Sequence, residues 1–202
     1  MNIVAPSMMM KHAILAARAE FYHRTDRQIG NDAFLAYVRE HQLDVQQVGW
    51  YAGVTAVLPI EELSGDRFEF ADQGKGAFVC EALSADGETV CDLVAWHLHT
   101  PMRPITMFGR CGLLGLWQAN APGTYFMGGR LRLHRSPLCW LQSGCDGAAI
   151  VDRHLAGRQL LEVPGQIETE DASHGREIAA LLRATANIDN KVIAPVRHRR
   201  AA

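Results

Sequence analysis

The chain has 202 residues, 48% of them hydrophobic and 21% charged, with a formal net charge of −2. That composition predicts a packed core and excludes wholesale disorder, and a charge so near zero excludes a global field drawing the chain to nucleic acid or anionic lipid. The five cysteines, Cys80, Cys91, Cys111, Cys139 and Cys145, include no Cys-x-x-Cys pair, which argues against a zinc ribbon or dithiol redox centre and for a reduced, cytoplasmic protein. No membrane association is expected. Arg18 and Glu20 cut the early apolar stretch too short for a signal peptide, and no uncharged run approaches the ~18 residues of a spanning helix.

In chain order, residues 8–23 predict a helix capped by Ser7, with Met10, Ile14, Ala17 and Phe21 on one face. A second helix starts at Asn31, beyond Gly30, with Phe34, Leu35 and Val38 inward, so that residues 8–42 make a helical hairpin. From Val45 the pattern turns to strands, and Arg67-Phe68-Glu69-Phe70 alternates with period two. Gly76–Leu83 and Thr89–His99 then flank Ser84-Ala85-Asp86-Gly87-Glu88, and Asp-Gly between apolar runs is a strong hairpin signal. A two-residue loop sets Leu83 opposite Val90, Glu81 opposite Asp92, Val79 opposite Val94 and Ala77 opposite Trp96. A three-residue loop sets Cys80 opposite Asp92 instead. The second strand is apolar on both faces, the mark of a central strand covered on two sides, and Pro101 and Pro104 end it.

Residues 105–125 are glycine-rich and carry no clear element; Gly109 to Gly115 matches neither a phosphate loop nor a dinucleotide fingerprint, and Arg110 is its one anion-binding side chain. Tyr125 to His134 predicts a strand with Leu131 and Leu133 on one face and Arg130, Arg132 and His134 on the other. Ser136-Pro137 opens either a short helix or a buried strand over 138–141. Helices are expected over 148–162, weakened by Gly157, and over 173–185, where Ile178, Leu181 and Leu182 share a face. The whole predicts a single α+β domain over 1–185. It comprises a helical hairpin at about 8–42, a sheet-rich middle at about 45–145 and helices at about 148–185. The sheet is mostly antiparallel and centred on the 76–99 hairpin, with the N- and C-terminal helices packed on it. Residues 186–202 form a basic tail.

Three groups of residues can carry chemistry. His97 and His99 share one face of a strand, and with His134 as a third ligand they make a candidate transition-metal site. The stretch from Thr100 to Gly109 holds no acid, so the glutamate that follows His-x-His in cupin-like barrels is missing. Glu81 and Asp92, if opposite, form an acidic cluster that needs a shared proton, a metal or an arginine such as Arg130 or Arg132 between them. Lys191, Arg197, Arg199 and Arg200 in the tail can contact nucleic-acid phosphates. No Gly-x-Ser-x-Gly elbow is present; Ser143 lies in Gln-Ser-Gly.

Pro137-Leu138-Cys139-Trp140-Leu141-Gln142-Ser143-Gly144-Cys145-Asp146-Gly147-Ala148-Ala149 resembles the strand–turn–helix opening of toprim domains, found in primases and topoisomerases. That family places a catalytic glutamate just before the glycine, where this chain has Ser143 preceded by Gln142, and its Asp-x-Asp pair has no clear counterpart here. The resemblance implies at most a non-catalytic relative. In general character, though in no single motif, the chain is similar to proteins encoded by bacterial phages and mobile elements. The expectation is a non-enzymatic accessory or binding protein acting beside nucleic acid. The alternatives are a metal-dependent enzyme using His97 and His99, or a protein–protein interaction module.

Overall fold

The computed structural model describes residues 6–27 and 32–186; Gly30 and the tail cations Lys191, Arg197, Arg199 and Arg200 lie outside the described residues. Helix α1 (Pro6–Asp26) begins before Ser7, which therefore stands inside it rather than capping it. Ile14 and Phe21 are buried, as their spacing predicts. In α2 (Asp32–Glu40) the inward residues are Tyr37 and Val38, with Phe34 partly buried and Leu35 exposed. Positions i, i+3 and i+4 make the stripe, and Leu35 falls off it. The two helices feed different clusters rather than pairing as one hairpin: Phe21 joins the inner side of the first sheet, Tyr37 and Val38 its outer side. Val45 opens no strand. Asp44 accepts hydrogen bonds from the Gln46 and Gln47 amides and caps α3 (Val45–Tyr51).

The first sheet is a closed barrel of β1 (Thr55–Leu63), β2 (Arg67–Phe70), β3 (Lys75–Leu83), β4 (Val90–His97) and β5 (Ile105–Thr106), in the order β1-β2-β5-β4-β3. All its pairings are antiparallel except the β2–β5 seam, where Arg67 faces Thr106. The 76–99 hairpin lies at its centre, as expected, and β4 is buried on both faces. Leu58, Phe68, Val79, Leu93, Ala95 and Ile105 close the interior with Phe21. Val57, Phe78, Cys80, Val94 and Trp96 point outward and pack on Tyr37, Val48 and Trp140. Each such side chain contributes about 1.5–3 kcal/mol on burial, and the Trp96 indole N–H donates to the Tyr37 hydroxyl at 2.9 Å.

The hairpin departs from its expected register. Its loop is longer than two residues: the Gly87 amide donates to the Ser84 carbonyl and the Ser84 amide to the Thr89 carbonyl. Gly87 has φ +74° while Asp86 is not left-handed, so the turn is not the type that needs positive φ twice. The Asp86 carboxylate organises it, accepting from Ser84 Oγ, Thr89 Oγ1 and the Glu88 and Thr89 amides. Those bonds hold its carboxyl below the usual range. Leu83 faces Val90 as expected, but Ala82 faces Asp92, which leaves Cys91 as the extra residue of a bulge. Every later pair moves by one: Glu81 faces Leu93, Val79 faces Ala95 and Ala77 faces His97. A shift of one reverses faces, so Glu81 and Asp92 are not an acidic pair. Glu81, 4% exposed, is bound by Arg18 Nε at 2.6 Å rather than by Arg130 or Arg132.

Asp92, fully buried, has backbone partners alone among the described residues. One carboxylate oxygen accepts from the Leu93 and Phe108 amides, each at 2.9 Å, and the other from those of Arg110 and Cys111 at 2.6 and 3.2 Å. Burial pushes its carboxyl above the ordinary value, and these four donors oppose the shift. The glycine-rich segment that resisted assignment is thus a loop wrapped on a carboxylate.

A second sheet follows: β6 (Leu113–Leu114), β7 (Leu131–His134), β8 (Ala148–Ile150) and β9 (Ile167–Thr169), in the order β6-β8-β7-β9. β7 pairs in parallel with both β8 and β9. Its helices are α4 (Leu116–Asn120), α5 (Pro137–Gln142), α6 (Arg153–Leu161) and α7 (Ala172–Ala186). The strand expected from Tyr125 begins only at Leu131, because residues 122–128 form a short 3-10 segment. The helix expected over 148–162 is β8 followed by α6. Ser136 caps α5 by accepting from the Cys139 amide, so Ser136-Pro137 opens a helix. Residues 137–149 therefore run helix–turn–strand, not the strand–turn–helix that the toprim resemblance implies. Trp140, Leu141 and Ala149 join the barrel's outer cluster on one face of this sheet, while Ala156, Leu160 and Ile178 of α6 and α7 cover Leu131, Leu133 and Ala148 on the other.

Asp92→Asn is expected to destabilise the protein by about 2–4 kcal/mol in urea unfolding at pH 7, since two amide donors would then face an NH2 group. Asp86→Ala is expected to lower the melting temperature near neutral pH. A depressed carboxyl pKa stabilises above its ordinary range and loses that effect on acidification, so melts at decreasing pH should show the gap between variant and parent closing.

Candidate functional site

The predicted metal trio is not assembled. His97 ends β4 with Nε2 2.8 Å from Glu62 Oε1 and Nδ1 3.4 Å from the Gly76 carbonyl. His99 lies beyond the strand in an exposed turn, because β4 stops at His97. His134 belongs to β7 of the other sheet. Among the described residues, no group of three or more His, Cys, Asp and Glu side chains is placed to hold a metal ion. The five cysteines are free, and Cys80, Cys111 and Cys145 are buried as small apolar groups.

His134 instead sits between Ser143 and Glu170, a serine–histidine–carboxylate set by composition. Its Nε2 lies 3.2 Å from Ser143 Oγ and its Nδ1 3.5 Å from Glu170 Oε1. The hydrogens run the wrong way for a nucleophile. Nε2 lies 2.8 Å from the Asp146 carbonyl and donates to it, while Ser143 Oγ donates to the Trp140 carbonyl at 2.7 Å. A base must present a lone pair to the serine hydroxyl. His134 therefore braces the turn after α5.

A different site follows from the topology of the second sheet. Adjacent parallel strands β7 and β9 send the chain to opposite faces, β7 into α5 and β9 into α7. Such a switch point leaves a crevice outside the carboxyl ends of the strands, where open α/β sheets bind their ligands. Here that crevice is a cleft of about 600 Å³, within the range of small-molecule sites. Arg135 after β7, Ile150 to His154 at the β8–α6 junction, and His174 and Glu177 of α7 line one side. The barrel closes the other with Asp66 and Arg67 and with Met102 to Thr106 at its parallel seam.

Within the cleft most charges are already paired. Arg135 meets Asp171 at 2.9 Å, Glu177 at 3.1 Å and Glu170 at 3.5 Å. Arg103 meets Asp66 at 3.4 Å. Asp152 caps α6 by accepting from the Leu155 amide at 2.8 Å. Arg67 and Arg153 form no ion pair among the described residues; the Arg67 guanidinium lies against Gly109, at φ +66°, where a β-carbon would collide with it. His174 is 2% exposed and its Nδ1 accepts from the Glu170 amide. The proton of the neutral ring is thereby assigned to Nε2, which has no partner among the described residues.

None of Arg67, Arg135, Arg153 and His174 stands out in the sequence, and Arg110, the one cation noted in the glycine loop, is exposed and contributes its amide to Asp92. The available signal was the alternation of short apolar runs and helices over 131–186, which predicts a parallel unit and so a switch point. No family model, curated protein or solved structure matches this chain. No helix among the described residues is long and apolar enough to cross a membrane.

Burial, then Arg135, lower the His174 pKa from its ordinary value, against Glu170, Glu177 and Asp171 nearby. A lowered histidine pKa gives stability that is complete above about pH 6.5 and is lost as pH falls. His174→Gln should therefore flatten the fall in stability between pH 7 and pH 5, as measured by urea unfolding at each pH.

Proposed function

We propose that this protein is a non-enzymatic ligand-binding protein whose site is the cleft over the carboxyl ends of β7, β8 and β9. The observation that carries this is the switch point itself, with its opening roofed by the barrel seam. The chemistry of the lining supports binding rather than turnover. Asp66 meets Arg103, Asp152 caps α6 and Glu177 meets Arg135, so each lining acid already serves a pairing within the protein. The walls combine polar groups with Ile105, Ile150, Val151 and Ile178, a mixture that orients a small ligand by its polar end and shields the remainder.

A ligand-observed and protein-observed NMR screen with a library of small fragments tests this without prior choice of ligand. Amide shifts from binding fragments are expected to cluster at residues 66–67, 103–106, 151–154 and 174–177. Val151→Trp, at a half-buried lining position, should abolish those shifts while leaving the spectrum of the barrel intact. Fragment shifts confined to another surface would remove the cleft from consideration.

A further inference from the structure

The two most exposed large apolar side chains among the described residues are neighbours, Met127 at 91% and Phe126 at 73%. They form the tip of the segment that joins α4 to β7. The Gly129 amide donates to the Phe126 carbonyl at 3.0 Å, with Met127 at φ +51° and Gly128 at φ +83°. Two successive left-handed residues make a type I′ turn, whose first central position favours Asn, Asp or Gly. A methionine there serves neither the turn nor the core, since left-handed backbone disfavours it and its side chain faces water. The tip is also held in place from below. Thr124 Oγ1 donates to the Gln118 carbonyl and the Tyr125 hydroxyl to the Ala119 carbonyl, each at 2.7 Å, and the Tyr125 ring lies against Gly165. A fixed turn that keeps a phenylalanine and a methionine in solvent presents them to a partner.

The charges around the tip say which partner. Residues 122–129 and 163–167 meet here, through Tyr125 on Gly165 and the Leu131 amide on the Gln166 carbonyl, and neither segment carries an acidic or basic side chain. Arg130 follows the first and Glu162 precedes the second; both are exposed, and neither forms an ion pair among the described residues. Glu168, beyond the second segment, faces Arg132 of β7. A patch with no charge at its centre and one unpaired charge of each sign at its margins is complementary to itself. Across a two-fold axis like residues face each other near the axis, where only uncharged ones pack well, and each marginal cation can meet the other copy's anion. We propose that the Phe126–Met127 tip is a self-association surface, a two-fold contact in which the tips of two copies pack together and Arg130 pairs with Glu162 of the second copy. Phe126 buries about 150–250 Å² when covered and Met127 about as much, so the two supply roughly half of the ~800 Å² that each side of a standard interface contributes. Such an area fits a reversible dimer rather than an obligate one. The tip lies outside the cleft lining, so this surface is independent of the ligand site.

The test is sedimentation velocity on the full chain from micromolar to near-millimolar concentration. The mass should rise with concentration from 22.3 kDa towards twice that value. Met127→Asn suits the left-handed turn better than methionine does. It should keep the fold and the melting temperature while weakening association about tenfold or more. Phe126→Ser should weaken association in the same way. Leu15→Gln, at an exposed apolar position on α1, should leave it unchanged. Arg130→Glu and Glu162→Arg should each weaken association, and the double variant, which exchanges the two charges, should restore it. A chain that stays monomeric throughout overturns the proposal and leaves the tip to a different partner. A dimer that persists in both Met127→Asn and Phe126→Ser overturns the assigned surface. A double variant that associates no more tightly than the single ones overturns the two-fold pairing of Arg130 with Glu162.

Discussion

The carboxylate of Asp92 is the constraint on which the rest of this molecule depends. An ionisable group buried in a sheet is tolerated only when its hydrogen-bonding capacity is met, and Asp92 meets it with four main-chain amides. Three of those belong to residues 108–111, so the carboxylate dictates the path by which the chain leaves the barrel. That path delivers Gly112 to the start of the second sheet, where its carbonyl accepts from the Val151 and Asp152 amides. Val151 follows β8 and Asp152 caps α6. One side chain in β4 is thereby linked, through a loop and a single carbonyl, to the floor of the cleft.

The bulge at Cys91 is what makes this arrangement available. Without it Asp92 would face the barrel interior beside Glu81, where two like charges would meet in a dry core. With it, the acids part: Glu81 turns to Arg18 on α1 and Asp92 to the loop. Bulges re-aim side chains at the cost of one unpaired residue, and here the extra residue is a half-buried cysteine that needs no partner. The same strand then proceeds to Trp96, whose indole is fixed by Tyr37 of α2, so that one strand orders the interior, the exit loop and the helical cover.

The cleft is lined by charges of both signs, most of them paired with one another. Its acids are consumed by Arg103, Arg135 and the α6 cap, and its remaining cations come from elements far apart in the chain. This differs from a basic surface stripe, in which charges repeat along one helix or tail and attract any polyanion.

Much of the first sheet is legible in the residues alone. The two-faced apolar run of β4, the Asp86-Gly87 turn and the Ile14–Phe21 stripe are local patterns, and local patterns report periodicity and capping directly; Ser136-Pro137 left helix and strand both open until the structure showed the helix. The register beyond Leu83 is not legible, because a bulge has no signature except the burial it resolves. The strands β5, β6, β8 and β9 span two or three residues each, too few to show a period; they exist because neighbouring strands complete their hydrogen bonds. The sequence by itself determined which segments would be buried and that helices would flank a central hairpin. Only the tertiary structure decided that Arg67, Arg153 and His174 line one cleft, because their proximity follows from the closure of the barrel seam against a parallel sheet, and no spacing along the chain encodes that.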